Sequence, residues 1–248
     1  MWPELFASLT LSKLVALWVG AFLGGLASGA SGFAFGIVAT SIWLHWIEPL
    51  YATFLVVAGG LTIQIGTTWP LRHAIERRRI MPFLLAGLVG IPIGVWLLVY
   101  TNPRHLRTAL GVFLAIYGVY ALAAPQMPHF VRGGRAADAV VGFLGGILGG
   151  VGGYSGTLPA IWTQLRGWPK DVARAVYQPF IVMAHVVTLL LIGAVALDRT
   201  GLVLYVAAVP ALLLGAWVGW IIYGRLNEQR FRQAFAALLL VSGVILMF

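Results

Sequence analysis

The chain has 248 residues, of which 60% are hydrophobic and 9% charged, with sixteen Lys and Arg against seven Asp and Glu. Soluble domains run nearer roughly 45–50% apolar and about 25% charged, and one soluble core of this length could not hide the excess apolar surface, so a water-soluble globular protein is excluded. The formal charge of +9 would suggest a nucleic-acid partner in a soluble protein. Here the basic residues sit in short connectors between apolar runs, where they set topology and meet lipid headgroups, so no nucleic acid is expected.

In chain order, the start Met1-Trp2-Pro3-Glu4 lacks the basic region of a cleaved signal peptide, so the first apolar run is expected to stay in the mature protein. Apolar runs then fall at 8–27, 33–47, 50–69, 80–100 and 106–123, followed by 138–151, 156–166, 172–195, 201–223 and 231–248. Most reach the roughly 17–25 residues of a spanning helix, but the second of each group of five is short. Pro82, Pro92, Pro103, Pro179 and Pro210 lie at run starts or inside runs, where they kink a membrane helix rather than end it. The stretch from Ala123 to Arg135, with Pro125, Pro128, Gly133 and Gly134, reads as a linker. The absence of cysteine excludes disulfides, thiolate metal sites and a thiol nucleophile.

The two groups of five are copies. Phe22-Leu23-Gly24-Gly25 returns 121 residues later as Phe143-Leu144-Gly145-Gly146, and the same shift pairs Gly29 with Gly150, Gly32 with Gly153, Gly94 with Gly215 and Trp96 with Trp217. The expected organisation is a first membrane repeat over 1–123, a linker over 124–135 and a second repeat over 136–248. If every run crosses, or if each short pair dips in and out as a hairpin, twelve basic residues collect on one side. Only Lys13, Arg104, Arg107 and Arg199 fall on the other. If each short pair made a single crossing, the sixteen would divide evenly. The positive-inside rule therefore favours the first layout, with both termini outside and the 72–79 connector in the cytoplasm. An odd number of segments per copy puts the second copy into the bilayer upside down, as an inverted repeat. The expected fold is an all-α polytopic membrane protein with helices broken at the glycine clusters.

Those clusters are Ser28-Gly29-Ala30-Ser31-Gly32-Phe33 and, at the matching place in the second copy, Gly149-Gly150-Val151-Gly152-Gly153-Tyr154-Ser155-Gly156-Thr157. Glycine permits the positive-φ turns of a broken helix, and the freed N–H groups and hydroxyls need a polar partner in place of water. Small residues also serve tight helix packing, but two clusters at repeat-equivalent places point to a solute site lined by Ser28, Ser31, Gly32, Gly153, Tyr154, Ser155, Gly156 and Thr157. Deep in the third run lies Gln64, and the 121-residue shift lands on His185; Thr67 and Thr188 match in the same way. Gln178, seven residues before His185, shares its helical face and joins the candidates, with Tyr177 and Gln164 behind it as interfacial or packing residues. All seven acidic residues, Glu4, Glu48, Glu76, Asp138, Asp171, Asp198 and Glu228, fall at run ends or in connectors. A midplane carboxylate is the usual ligand of cation pumps, so cation transport is disfavoured and an anion suits the site. No cofactor and no metal are implied. Any proton coupling falls to His185, and sodium coupling and homo-oligomer formation stay open. Arg72, Arg166 and Arg174 read as solvated connector charges that fix orientation and attract an anion to the cytoplasmic mouth.

Gly-Gly-x-x-x-Gly at 24–29 and 145–150, the run Gly149 to Pro159, and Trp168-Pro169-Lys170-Asp171-Val172-Ala173-Arg174-Ala175 resemble the TauE/SafE sulfite exporter family, also called the 4-toluene sulfonate uptake permease family. The resemblance spans both halves and is strongest in the second. In the first copy Phe33-Ala34-Phe35-Gly36 stands where many members keep a denser glycine run. It implies a bacterial cytoplasmic-membrane carrier for sulfite, thiosulfate or organosulfonate anions. Two readings compete with a carrier. Gly153-Tyr154-Ser155-Gly156 fits the Gly-x-Ser-Gly of intramembrane serine proteases, with His185 as base. A passive anion channel would also show a polar midplane with few charges.

Overall fold

A computed structural model describes residues 11–100, 103–123, 133–196 and 198–247. Those residues form ten α-helices, with no strand among them: α1 (Leu11–Ser31), α2 (Phe35–Trp43), α3 (Pro49–Thr68), α4 (Arg77–Tyr100), α5 (Pro103–Ala123), α6 (Gly134–Gly152), α7 (Thr157–Leu165), α8 (Lys170–Ala196), α9 (Arg199–Arg225) and α10 (Glu228–Met247). A 3-10 turn over Trp69–Ala74 continues α3. The ten apolar runs thus each become one helix. The amino-terminal residues and positions 124–132 of the expected linker lie outside the described residues.

Among the described residues six helices are long and apolar enough to cross a membrane, namely α1, α3 with its 3-10 turn, α4, α6, α8 and α9. By contrast, α2 and α7 have nine residues each, about 14 Å at 1.5 Å per residue against a hydrocarbon layer of roughly 30 Å. Each folds back along the helix before it. Trp43 Nε1 on α2 donates to the Leu17 carbonyl of α1 at 3.2 Å, and Trp162 Nε1 on α7 donates to Asp138 Oδ1 of α6 at 2.7 Å. The short pairs are therefore hairpins. Large apolar side chains such as Trp18, Val89, Trp96, Leu190 and Trp217 are exposed around the outside, as a lipid-facing surface requires.

The most extensive packing runs α1 along α9, α4 along α6, α5 along α10 and α3 along α8, so that each pair joins one of the first five helices to one of the last five. In the first two pairs glycine lets the backbones touch. Gly25 and Gly29 of α1 face the Leu212 and Ala216 carbonyls of α9, and Gly146 and Gly150 of α6 face the Gly87 and Ile91 carbonyls of α4. The equivalent positions on α4 and α9 are thus 125 residues apart, one helical turn more than the 121 that aligns Gly94 with Gly215. Glycines four residues apart on α4 and α9 present the same face after a one-turn slip, so either register fits the sequence. Between these pairs, α2 is walled by an apolar cluster of Leu17, Phe35, Trp43, Leu55 and Leu212.

Asp198, just before α9, accepts from Gly201 N–H at 2.7 Å and from the Tyr51 hydroxyl of α3 at 2.7 Å. These bonds, the Gly201 one foremost, hold its carboxyl below the ordinary range. Stabilisation from a carboxyl so depressed is present at neutral pH and disappears as the pH falls through its lowered folded-state pKa. Asp198→Ala should lower the melting temperature by a few degrees at pH 7, and the difference from the parent protein should shrink in acid, as read by thermal unfolding in detergent.

Candidate substrate site at the paired helix breaks

Both glycine clusters interrupt their helices. At the end of α6, Gly153 has φ of +76° and its N–H bonds the Gly149 carbonyl at 2.8 Å, while Tyr154 N–H reaches the Leu148 carbonyl at 3.2 Å. This is a left-handed helix cap of the kind glycine supplies without a Cβ penalty. At the end of α1, Gly32 has φ of +86° and bonds the Ser28 carbonyl at 2.6 Å. The Ser31 hydroxyl donates to the Ala27 carbonyl at 2.7 Å and accepts from Phe33 and Ala34 N–H at 3.4 and 3.3 Å, tying α1 to α2. The two breaks abut: a Cβ on Gly156 would stand 2.8 Å from Phe33 Cβ, and one on Gly36 would stand 3.3 Å from the Gly153 carbonyl oxygen.

The central helices α3 and α8 hold these breaks in matching ways. Gln64 Nε2 donates to the Gly32 carbonyl at 2.6 Å, and His185 Nε2 lies 3.4 Å from the Gly153 carbonyl. Gln64 and His185 are not bonded to each other, although the His185 ring packs on Gly60, one turn before Gln64. Gln178 Nε2 donates to Thr67 Oγ1 at 3.0 Å, crossing from α8 to α3. Tyr177, a weaker candidate than Gln178 from the sequence, donates its hydroxyl to the Ser31 carbonyl at 2.6 Å and so belongs to the same cluster. Tyr154 shares a hydrogen bond with Thr40 at 3.1 Å. Gln164 lies apart on α7 and lines a cavity of about 430 Å³ beside Trp168, Lys170, Glu228 and Arg232, near the amino-terminal end of α8.

Several buried polar atoms around the breaks have no partner within the protein. They include the hydroxyls of Ser28, Ser155 and Thr157, Gln178 Oε1, His185 Nδ1 and Arg174 Nε and Nη2. An unsatisfied buried polar group costs about 1–3 kcal/mol, so these groups hold hydrogen-bonding capacity that the protein itself does not use. Ser155 Oγ and His185 are not hydrogen-bonded to one another.

One residue differs sharply from its expectation. Arg174 is not a solvated connector charge, because α8 begins at Lys170 and carries it one turn into the protein, where its exposure is 0%. Its Nη1 donates to the Gly29 and Ala30 carbonyls at 3.1 and 3.4 Å, and its guanidinium lies over the rings of Tyr223 and Trp220. The spacing of Arg174, Gln178 and His185, four and then seven residues, places all three on one face of α8, and that periodicity was the available signal.

A bundle of apolar helices with two interrupted hairpins meeting between central helices defines a multi-pass membrane protein. Residues 17–246 match the family model described as Sulfite exporter TauE/SafE, and the chain belongs to that family of membrane transporters. No curated protein and no solved structure matches the chain.

Proposed function

We propose that the protein is a secondary carrier for small sulfur-containing anions, sulfite, thiosulfate or organosulfonates, working by alternating access. Two inverted repeats, 1–123 and 136–248 joined through 124–135, rock about a solute held near the midplane. The observation that carries this reading is the paired break: Gly32 and Gly153 occupy repeat-equivalent positions, both with positive φ, and each carbonyl is met by the repeat-equivalent residue Gln64 or His185. Broken helices at a repeat interface, with hydroxyls and backbone groups turned inward, are how carriers of this design hold an anion. Ser28, Ser155, Thr157 and His185 contact the solute; Ser31, Gly32, Gln64, Gly153, Tyr154, Gly156 and Gln178 shape and fix the turns around it. The membrane is the bacterial cytoplasmic membrane, with both termini outside.

Counterflow in proteoliposomes tests the carrier. Preloading with unlabelled sulfite should accelerate uptake of labelled sulfite several-fold, whereas a passive pore gives no acceleration. Ser155→Ala and His185→Ala should each raise the Kd for the transported anion roughly 5- to 30-fold while leaving the melting temperature of the unliganded protein within a few degrees. Unchanged binding in both variants would remove the site from this location.

A further inference from the structure

We infer that Arg174 is the charge-recognising residue of this site and that the site takes a singly charged sulfur oxyanion, a sulfonate head or hydrogensulfite, in preference to doubly charged sulfate or thiosulfate. The inference rests on the carrier reading only in taking the paired breaks as the place where solute binds.

A guanidinium at 0% exposure needs a counter-charge. The ion pairs among the described residues are Arg79 with Glu76 and Arg166 with Asp138, and neither involves Arg174. Asp171, one turn earlier on α8, is near enough to act on Arg174 through its charge, but it is exposed, forms no ion pair with it, and its carboxylate accepts the Tyr223 hydroxyl. What fixes Arg174 is the end of α1, whose last carbonyls take Nη1, together with the faces of Tyr223 at 4.0 Å and Trp220 at 5.0 Å. Those contacts hold the plane and use one nitrogen. Nε and Nη2 have no partner. These two lie on one edge of the guanidinium, and that edge is the fork that grips two oxygens of one oxyanion at once.

The fork opens beside the broken helix. A Cβ on Gly32 would stand 2.9 Å from Arg174 Nε and 3.0 Å from Gln178 Nε2, so this turn admits no side chain and two N–H donors pack directly against it. The matching turn differs. A Cβ on Gly153 would meet Val56 at 2.5 Å and Val57 at 3.6 Å, and the positions 121 residues before Arg174, Tyr177 and Gln178 are Thr53, Val56 and Val57. One turn is flanked by a cation and its counterpart by aliphatic side chains. Among the described residues Arg174 is the only buried Lys or Arg. A single buried positive charge balances one negative charge, and a second would be buried without a counter-ion.

The test is equilibrium binding of ethanesulfonate, hydrogensulfite and sulfate to the purified full chain in detergent at fixed pH and ionic strength. The wild-type protein should bind both monoanions and bind sulfate at least about tenfold more weakly. Arg174→Gln should weaken ethanesulfonate binding by at least about 30-fold, and Arg174→Lys, which keeps the charge without the fork, should fall between. Arg174→Gln that is folded and binds ethanesulfonate within twofold of wild type, while Ser155→Ala and His185→Ala lose binding, would overturn the inference and leave the carrier reading standing. If Arg174→Gln does not fold, Arg174→Lys and the wild-type charge preference decide, and sulfate bound as tightly as ethanesulfonate would overturn it. A wild-type protein that binds none of the three would overturn the carrier reading itself.

Discussion

Replacing Gly32 with alanine should weaken anion binding by more than tenfold and destabilise the protein, exceeding the effect of removing any single hydroxyl at the site. An L-residue held at φ of +86° costs about 1–2 kcal/mol before any contact is counted. The new methyl group would stand 2.9 Å from Arg174 Nε and Tyr177 Cε2 and 3.0 Å from Gln178 Nε2. All three residues are buried and held by hydrogen bonds to α1 or α3, so none can withdraw freely. Any shift of the Gly32 carbonyl also strains its bond from Gln64. Gly153→Ala pays the same backbone penalty at φ of +76° but meets the aliphatic Val56, so it should lower stability with a smaller effect on affinity. Gly66→Ala and Gly224→Ala, where a Cβ would meet nothing within 4 Å, should change neither. Thermal unfolding and anion binding on the same preparations separate the two effects.

Leucine at Gly29 or Gly150 should prevent assembly. At these positions α1 meets α9, and α6 meets α4, backbone to backbone: a Cβ on Gly29 would press on the Ala216 carbonyl and stand 2.9 Å from Trp220 N, and one on Gly150 would stand 2.6 Å from Val95 N. Neighbouring side chains can change rotamer, but helical backbone cannot. Within lipid, helix association depends on such close approach, because burying apolar surface gives no advantage over leaving it in acyl chains. Overpacking ordinarily costs about 1–3 kcal/mol, and here a whole side chain must fit between rigid partners, so the cost should exceed that range. The two variants should fail alike, since both contacts set helix backbone against helix backbone. Size-exclusion profiles of detergent-extracted protein provide the readout; a monodisperse Gly29→Leu with an unchanged melting temperature would contradict the packing described.

Much of this architecture is legible in the chain because lipid imposes a simple code. Each apolar run became one helix, and the glycine clusters end α1 at Ser31 and α6 at Gly152 because those positions need turns that only glycine makes cheaply. The 121-residue shift also located Gln64 and His185, which meet the Gly32 and Gly153 carbonyls in matching ways. What escaped was tertiary. Arg174 reads as a connector charge when position is judged by distance from the nearest polar turn, since its burial comes from the end of α1 and two aromatic rings of α9, far away in sequence. The one-turn slip between α4 and α9 was hidden because glycines spaced by four satisfy either register. Nor could composition show that Ser31 spends its hydroxyl closing the break, whereas the Ser28 and Ser155 hydroxyls have no partner in the protein.

The natural chain contains no cysteine, so a single Ser155→Cys substitution gives an unambiguous reporter of the central claim that an anion site at the paired breaks is reached alternately from the two sides. In sealed vesicles, a membrane-impermeant anionic methanethiosulfonate should modify this thiol from either face, and saturating sulfite or ethanesulfonate should slow modification several-fold from both. Labelling confined to one face, or labelling at a rate indifferent to the anion, would contradict the account.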